Sequence, residues 1–170
     1  MRNAAITMLV LVSALARSAH ADTEIIVGGI TEHIFFGRPA DQVPYSNGIG
    51  DGNNLINNRL LGVRFNDVEN LRPTFFAGTN SVGKPMVGGL LSPMDGDISP
   101  VIGGYFQSMR EFEKRGLIVP TLIPPINGVG LMPVTGVELS HKFRINRSNY
   151  IRPIVILTPA LITLNVGIGF

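Results

Sequence analysis

The last ten residues, Leu161 to Phe170, constrain the fold more than any other stretch. Ile162, Leu164, Val166, Ile168 and Phe170 are apolar, while Thr163, Asn165, Gly167 and Gly169 between them are small or polar. Period two without a fault marks a strand with one greasy face and one crowded face. Such a strand fits a half-buried position in a soluble sandwich or the wall of a membrane barrel. The terminal Phe favours the barrel, since it is similar to the C-terminal signature read by the outer-membrane barrel assembly machinery.

The other end of the chain points the same way. Arg2 gives a short positive segment, Ala4 to Ala16 is almost unbroken apolar chain, and Ala19-His20-Ala21 offers the small-x-small pattern of a signal-peptidase site. Residues 1–21 therefore read as a cleaved secretory signal, and residues 22–170 as a single exported domain. Of the 14 basic residues the signal takes Arg2 and Arg17, leaving 12 against 12 acidic ones, so the mature chain is formally neutral. No basic stripe interleaved with aromatics is present, which sets nucleic acid aside as a partner.

Cysteine is absent from the sequence. An exported domain without disulfides needs another device to hold it, and a closed barrel is one. Hydrophobic residues make up 45% of the chain and charged ones only 15%. Yet no segment of 22–170 approaches the ~18 apolar residues of a spanning helix. These properties together predict an all-β chain: an eight-stranded antiparallel up-and-down transmembrane β-barrel in the outer membrane of a Gram-negative bacterium.

Strand-like runs are expected at 24–36, 55–65, 71–81, 86–91, 98–110, 117–126 and 134–143, with the terminal strand as the eighth; Gly, Asn, Asp and Pro clusters separate most of them. Residues 151–157 are also strand-like, either as the start of a long bent terminal strand or as a separate element. The polar stretch 37–54 reads as a long first loop. In the first run Ile26, Ile30, Ile34 and Phe36 share one parity, and Gly29, Thr31 and His33 the other. In the second, Asn58, Gly62 and Arg64 oppose Leu55, Leu61, Val63 and Phe65. Glycines at 28, 29, 88, 89, 103 and 104 fall inside strands. They either leave room for a guest or relieve crowding, because eight strands enclose a volume that side chains nearly fill. A porin-like channel is not expected at this size.

Chemistry is sparse. Two histidines in 22–170, no HExxH and no EF-hand loop leave no expected metal site, and no nucleophile elbow or phosphate loop is present. What remains is His33 near the end of the first strand and Asn80-Ser81 at the end of the third, two strands that run in the same direction and so finish at one rim. A histidine beside a hydroxyl can act as general base on an ester carbonyl; Asn-Ser before Gly is equally an ordinary turn.

Ile30-Thr31-Glu32-His33, the run from Thr74 to Lys84, Pro85 to Leu90, and the proline-punctuated patch from Val119 through Pro133 to Thr135 carry a resemblance. Through them the chain resembles the PagP family of lipid A palmitoyltransferases, and the terminal strand ending in Phe170 also fits. The resemblance implies an outer-membrane acyltransferase, without cofactor, that moves a fatty acyl chain from a phospholipid to lipid A in lipopolysaccharide. His33 would be the general base and Ser81 its hydroxyl partner. Asn80 stands where the family has Asp, so Asp51 or Glu32 would have to supply the missing carboxylate, or the chemistry is slowed or lost. Pro120, Pro124, Pro125 and Pro133 would open a lateral door, each removing a backbone donor where lipid offers no substitute. Gly88 and Gly89 would line the acyl pocket; Leu90 and Leu91, if directed inward, would shorten it. The family's N-terminal amphipathic helix is missing. A non-catalytic barrel with a structural, surface-binding or lipid-binding role, and an esterase or lipase using the same residues, remain as alternatives.

Overall fold

The computed structural model describes residues 23–33, 55–66, 68, 70–80, 83–93, 96–114 and 121–170. The expected signal segment and the long first loop lie outside them. The described chain is almost wholly β: β1 (Thr23–His33), β2 (Leu55–Phe65), β3 (Leu71–Thr79), β4 (Pro85–Pro93), β5 (Ile98–Ser108), a short helix α1 (Arg110–Lys114), β6 (Val129–Ser140), β7 (Phe143–Arg144), β8 (Tyr150–Leu157) and β9 (Leu161–Gly169). Consecutive strands pair antiparallel from β1 to β6 and from β7 to β9. β1 pairs β9, and β6 pairs β8, so eight strands close into an up-and-down barrel; two-residue β7 stands outside the ring as a hairpin on β8.

The number of barrel strands agrees with the sequence reading, but their membership does not. Residues 121–126, the described part of the expected strand 117–126, form no strand beyond an isolated bridge at Ile126. Pro124 and Pro125 explain this, since two adjacent residues without N–H groups cannot sustain a ladder. The missing strand is instead β8, and the turn at Thr158–Ala160 makes it separate from β9. There the Thr158 N–H donates to Leu161 O (2.9 Å), while Thr158 Oγ1 accepts from the N–H groups of Ala160 and Leu161.

Inside and outside follow the alternation. On β9, Asn165, Gly167 and Gly169 are buried while Leu164, Val166, Ile168 and Phe170 are exposed. The outward row continues round the barrel with Leu61, Phe75, Val87, Ile102 and Phe106. On the outward face of the eight barrel strands, the only charged residues among those described are Glu32 and Arg59. β1 breaks its own alternation. Its register to both neighbours shifts between Gly28 and Ile30, where Gly28 (φ 144°) and Gly29 (φ 91°) take backbone conformations closed to most side chains. Ile26 is therefore buried and Ile30 exposed, not the shared face that simple parity gave.

The lumen is filled in tiers. Its middle holds Ile26, Phe76, Met86, Leu90, Val101 and Ile154 as one apolar cluster. Towards the end that carries the described chain termini lies an ionic tier of Glu24, Arg64, Arg72, Glu138 and Arg152, none more than 3% exposed. Arg64 is bidentate to Glu138 (2.9 and 2.7 Å), and its Nε donates to Thr74 Oγ1. Glycines make this filling possible. A Cβ at Gly88 would run into Tyr105 and lie 2.8 Å from the Phe76 ring; at Gly167 it would overlap the Glu24 carboxyl, and at Gly169 the Tyr150 ring. These residues admit the protein's own side chains. Among the described residues no helix is long and apolar enough to cross a membrane.

Candidate functional site

The rim opposite the described termini gathers the ends of β1 and β3, as two strands running in one direction require. His33 is the last residue of β1, its backbone paired with Leu161 of β9. Ser81 lies outside the described residues. Asn80, directly after β3, is buried at 3%, and it shapes the β3–β4 turn: its Oδ1 accepts from the Lys84 N–H (2.8 Å), its N–H donates to Lys84 O and its carbonyl accepts from the Gly83 N–H. Asn80 thus serves the turn. Of the substitute carboxylates, Glu32 is exposed, paired through its backbone with Leu55 and Ile162, and Asp51 lies outside the described residues.

A polar tier supports this rim, and sequence reasoning did not assemble it. Thr31 Oγ1 lies 3.1 Å from Thr163 Oγ1 and accepts from Asn58 Nδ2 (3.1 Å), while Thr79 Oγ1 donates to the Asn58 carbonyl (3.0 Å). Four strands, β9, β1, β2 and β3, are tied together two residues below His33. The signal was present in the inward parity of Asn58, but the partners are set by the β1 irregularity, which periodicity alone does not locate.

A second feature of the same half is a breach in the wall. The Ser140 N–H donates to Asp97 O (2.8 Å) on the β5 side of β6, whereas the Leu131 carbonyl accepts from the Leu122 N–H (2.9 Å). Successive residues of a strand direct their backbone groups to opposite edges. The even-numbered residues of β6 therefore serve β5, in an unbroken ladder from Ile98↔Leu139 to Ser108↔Val129, and the odd-numbered ones face β8. The β8 ladder covers only Val137–Ser140 against Ile154–Leu157, where β8 turns away. Nearer the rim, Ile126 exchanges hydrogen bonds with Val129, and Leu122 takes Leu131. Between these two seals sit Pro133, which has no N–H, and Thr135; among the described residues neither has a ladder partner on the β8 side.

The remaining predicted positions are dispersed over the wall. Pro133 lies on β6 at the breach. Pro124 and Pro125 are exposed in the segment that runs beside β6, and Pro120 lies outside the described residues. Leu90 points into the apolar cluster, and Leu91 is on the outer face at 43% exposure; adjacent strand residues cannot both face the lumen. Gly88 is inward and Gly89 outward, as the same alternation demands. The described residues hold no group of three or more metal-binding side chains. No family model matches the chain, and no characterised protein or solved structure is significantly similar to it.

Proposed function

We propose that this protein resides in the outer membrane and moves an acyl chain from a phospholipid, admitted through the β6–β8 breach, to lipid A. The membrane part of this reading is supported by the distribution of polarity. On the barrel strands Glu24, Arg64, Arg72, Glu138 and Arg152 are turned into the lumen, and apart from Glu32 and Arg59 the described outer face is largely apolar, which is the arrangement that lipid and not water rewards. The breach is the observation that supports the lipid-access part: the β8 ladder stops at Val137, short of Pro133, on the rim half of the barrel.

On this reading the His33 imidazole accepts the proton of a lipid A hydroxyl as that oxygen attacks the ester carbonyl. Ser81 holds the imidazole or the acceptor by a hydrogen bond. Collapse of the tetrahedral intermediate breaks the bond to the glyceryl oxygen, which takes the proton from the imidazolium and leaves as lysophospholipid. A non-catalytic barrel is the second reading, and two observations favour it. Asn80 is committed to the turn, and the middle of the lumen is already occupied by Phe76, Leu90 and Ile154.

Mass spectrometry of lipid A from cells expressing the protein separates these outcomes. A gain of one acyl mass is the expected result, loss of an acyl group indicates an esterase, and unchanged lipid A with correctly folded barrel overturns the catalytic proposal.

A further inference from the structure

The ionic tier contains an imbalance that its own side chains do not resolve. Glu138 already accepts from both Arg64 nitrogens and from Ser140 Oγ (3.0 Å). Glu24 accepts from the Tyr150 hydroxyl (3.0 Å) and pairs with Arg152 Nε at 3.3 Å. Arg72 is left over. Its carboxylate neighbour is Glu138, with Nη2 at 3.7 Å, too long for a hydrogen bond, and neither Nε nor Nη2 has a hydrogen-bond acceptor although the side chain is 2% exposed. Three guanidinium groups face two carboxylates, so this tier carries a net positive charge among the described residues. Beside Arg72 stands a second unanswered donor. Ser92 is its directly opposed residue on β4, 1% exposed, and its Oγ has no partner. Directly opposed side chains on one face have Cβ atoms only ~5 Å apart.

We propose that Arg72 and Ser92 form a site for a monatomic anion, with chloride as the physiological class of ligand. A buried water would answer the donors but leave the charge, and burying an uncompensated cation is the costlier of the two defects. A halide can answer both: a spherical anion is able to accept from Nε–H, Nη2–H and Oγ–H together while it neutralises the guanidinium charge. The approach is from the end of the barrel that holds the described termini. There Lys142 lies with its Nζ 4.7 Å from the Tyr150 ring centroid, and exposed Arg144 pairs with Tyr150 through the backbone, while the nearby acid Asp97 is engaged by His141 at 2.9 Å. The site is independent of the proposed acyl transfer and of the opposite rim.

The test uses the full mature barrel refolded in a zwitterionic detergent. Chloride-35 NMR line broadening should report saturable binding to the wild type. The unfolding midpoint, read from the folded and unfolded bands on unboiled gels, should rise as chloride replaces gluconate at constant ionic strength. Ser92→Ala should weaken the chloride response by roughly tenfold, the worth of one hydrogen bond to a charged group. Arg72→Met, which keeps the volume and removes the charge, should abolish it. A wild-type midpoint identical in chloride and gluconate, with no saturable broadening, overturns the proposal. A chloride response that survives intact in Arg72→Met also overturns it, placing the anion elsewhere. The NMR measurement is made on the wild type, so it decides between these outcomes even where a variant fails to fold.

Discussion

The two ends of the lumen solve opposite problems. At the end with the described termini, Glu24, Arg64, Glu138 and Tyr150 interlock, and glycines at 167 and 169 are cut back to admit them. At the other end the polar groups are uncharged (Thr31, Asn58, Thr163, Asn80), and the wall beside β6 is open at Pro133. The first end is built to stay shut: ions in a low-dielectric lumen attract strongly and tolerate no partial opening. The second is held by weaker neutral hydrogen bonds that can rearrange without exposing a charge. Lipid entry as proposed would draw on both, a rigid base and a yielding half.

The comparison breaks most sharply at Glu138. Glu138→Ala leaves Arg64 and Arg72 buried without their carboxylate and should cost ~3–5 kcal/mol, the usual penalty for orphaning one partner of a buried pair. Denaturant unfolding in detergent measures it. Thr163→Ala, at the neutral tier, should cost no more than ~1 kcal/mol, a typical neutral hydrogen bond. Equal losses would mean that the two ends are not differently built.

The outer face supplies the next largest effect. Val166 is exposed in the apolar row while its neighbour Asn165 is buried. Val166→Arg should cost ~2–4 kcal/mol for folding into phospholipid vesicles if the belt meets hydrocarbon near the bilayer centre. A variant that folds into vesicles as readily as the wild type would remove the membrane reading.

Smaller again is Gly167→Ala. The added Cβ meets the Glu24 carboxyl, whose position is fixed by Tyr150 and Arg152, and overpacking of this kind costs ~1–3 kcal/mol. Gly89→Ala is the control, since the nearest atom to its Cβ would be Thr74 O at 3.3 Å, on the outer face. Comparable stability of the two variants would show that the base of the barrel yields as readily as its wall.

Much of this arrangement was legible in the sequence where period two runs without interruption. β9, with its inward Asn165, Gly167 and Gly169, and β2, with inward Asn58, Gly62 and Arg64, are as the alternation gave them. Arg64 alone does not reveal its tier, because Glu138 is 74 residues away and its pairing depends on how the closed barrel is staggered. Two local devices defeated the pattern elsewhere. The Gly28–Gly29 irregularity reverses the faces of β1 halfway along, and the proline pair at 124–125 turns an apolar run into a connection that lies beside β6. Pro133 keeps its place opposite Gly104 in the β5 ladder, and on its other edge β8 has already ended at Leu157, opposite Val137. At the rim the pattern gave the shared end of β1 and β3, and the turn role of Asn80 was one of the two readings of Asn80-Ser81.

The smallest structural effects are expected at the rim, where they test the proposed function. His33 is the last residue of β1, and His33→Ala should lower stability by less than ~1 kcal/mol. If the imidazole is the proton acceptor, acyl transfer should nevertheless fall by roughly two to four orders of magnitude, and Ser81→Ala should fall with it. Asn80→Asp sharpens the contrast between the ends. A carboxylate retains the oxygen that accepts from the Lys84 N–H, so the turn survives, and it adds a negative charge at the buried Asn80 position of the rim. If that charge stabilises an imidazolium at His33, activity rises in the single variant, and the gain vanishes when His33→Ala is combined with it. A gain that persists without His33 would assign the carboxylate a role of its own. Unchanged lipid A profiles in the wild type, His33→Ala and Asn80→Asp proteins, all folded to the same extent, would leave the rim a structural collar around the breach.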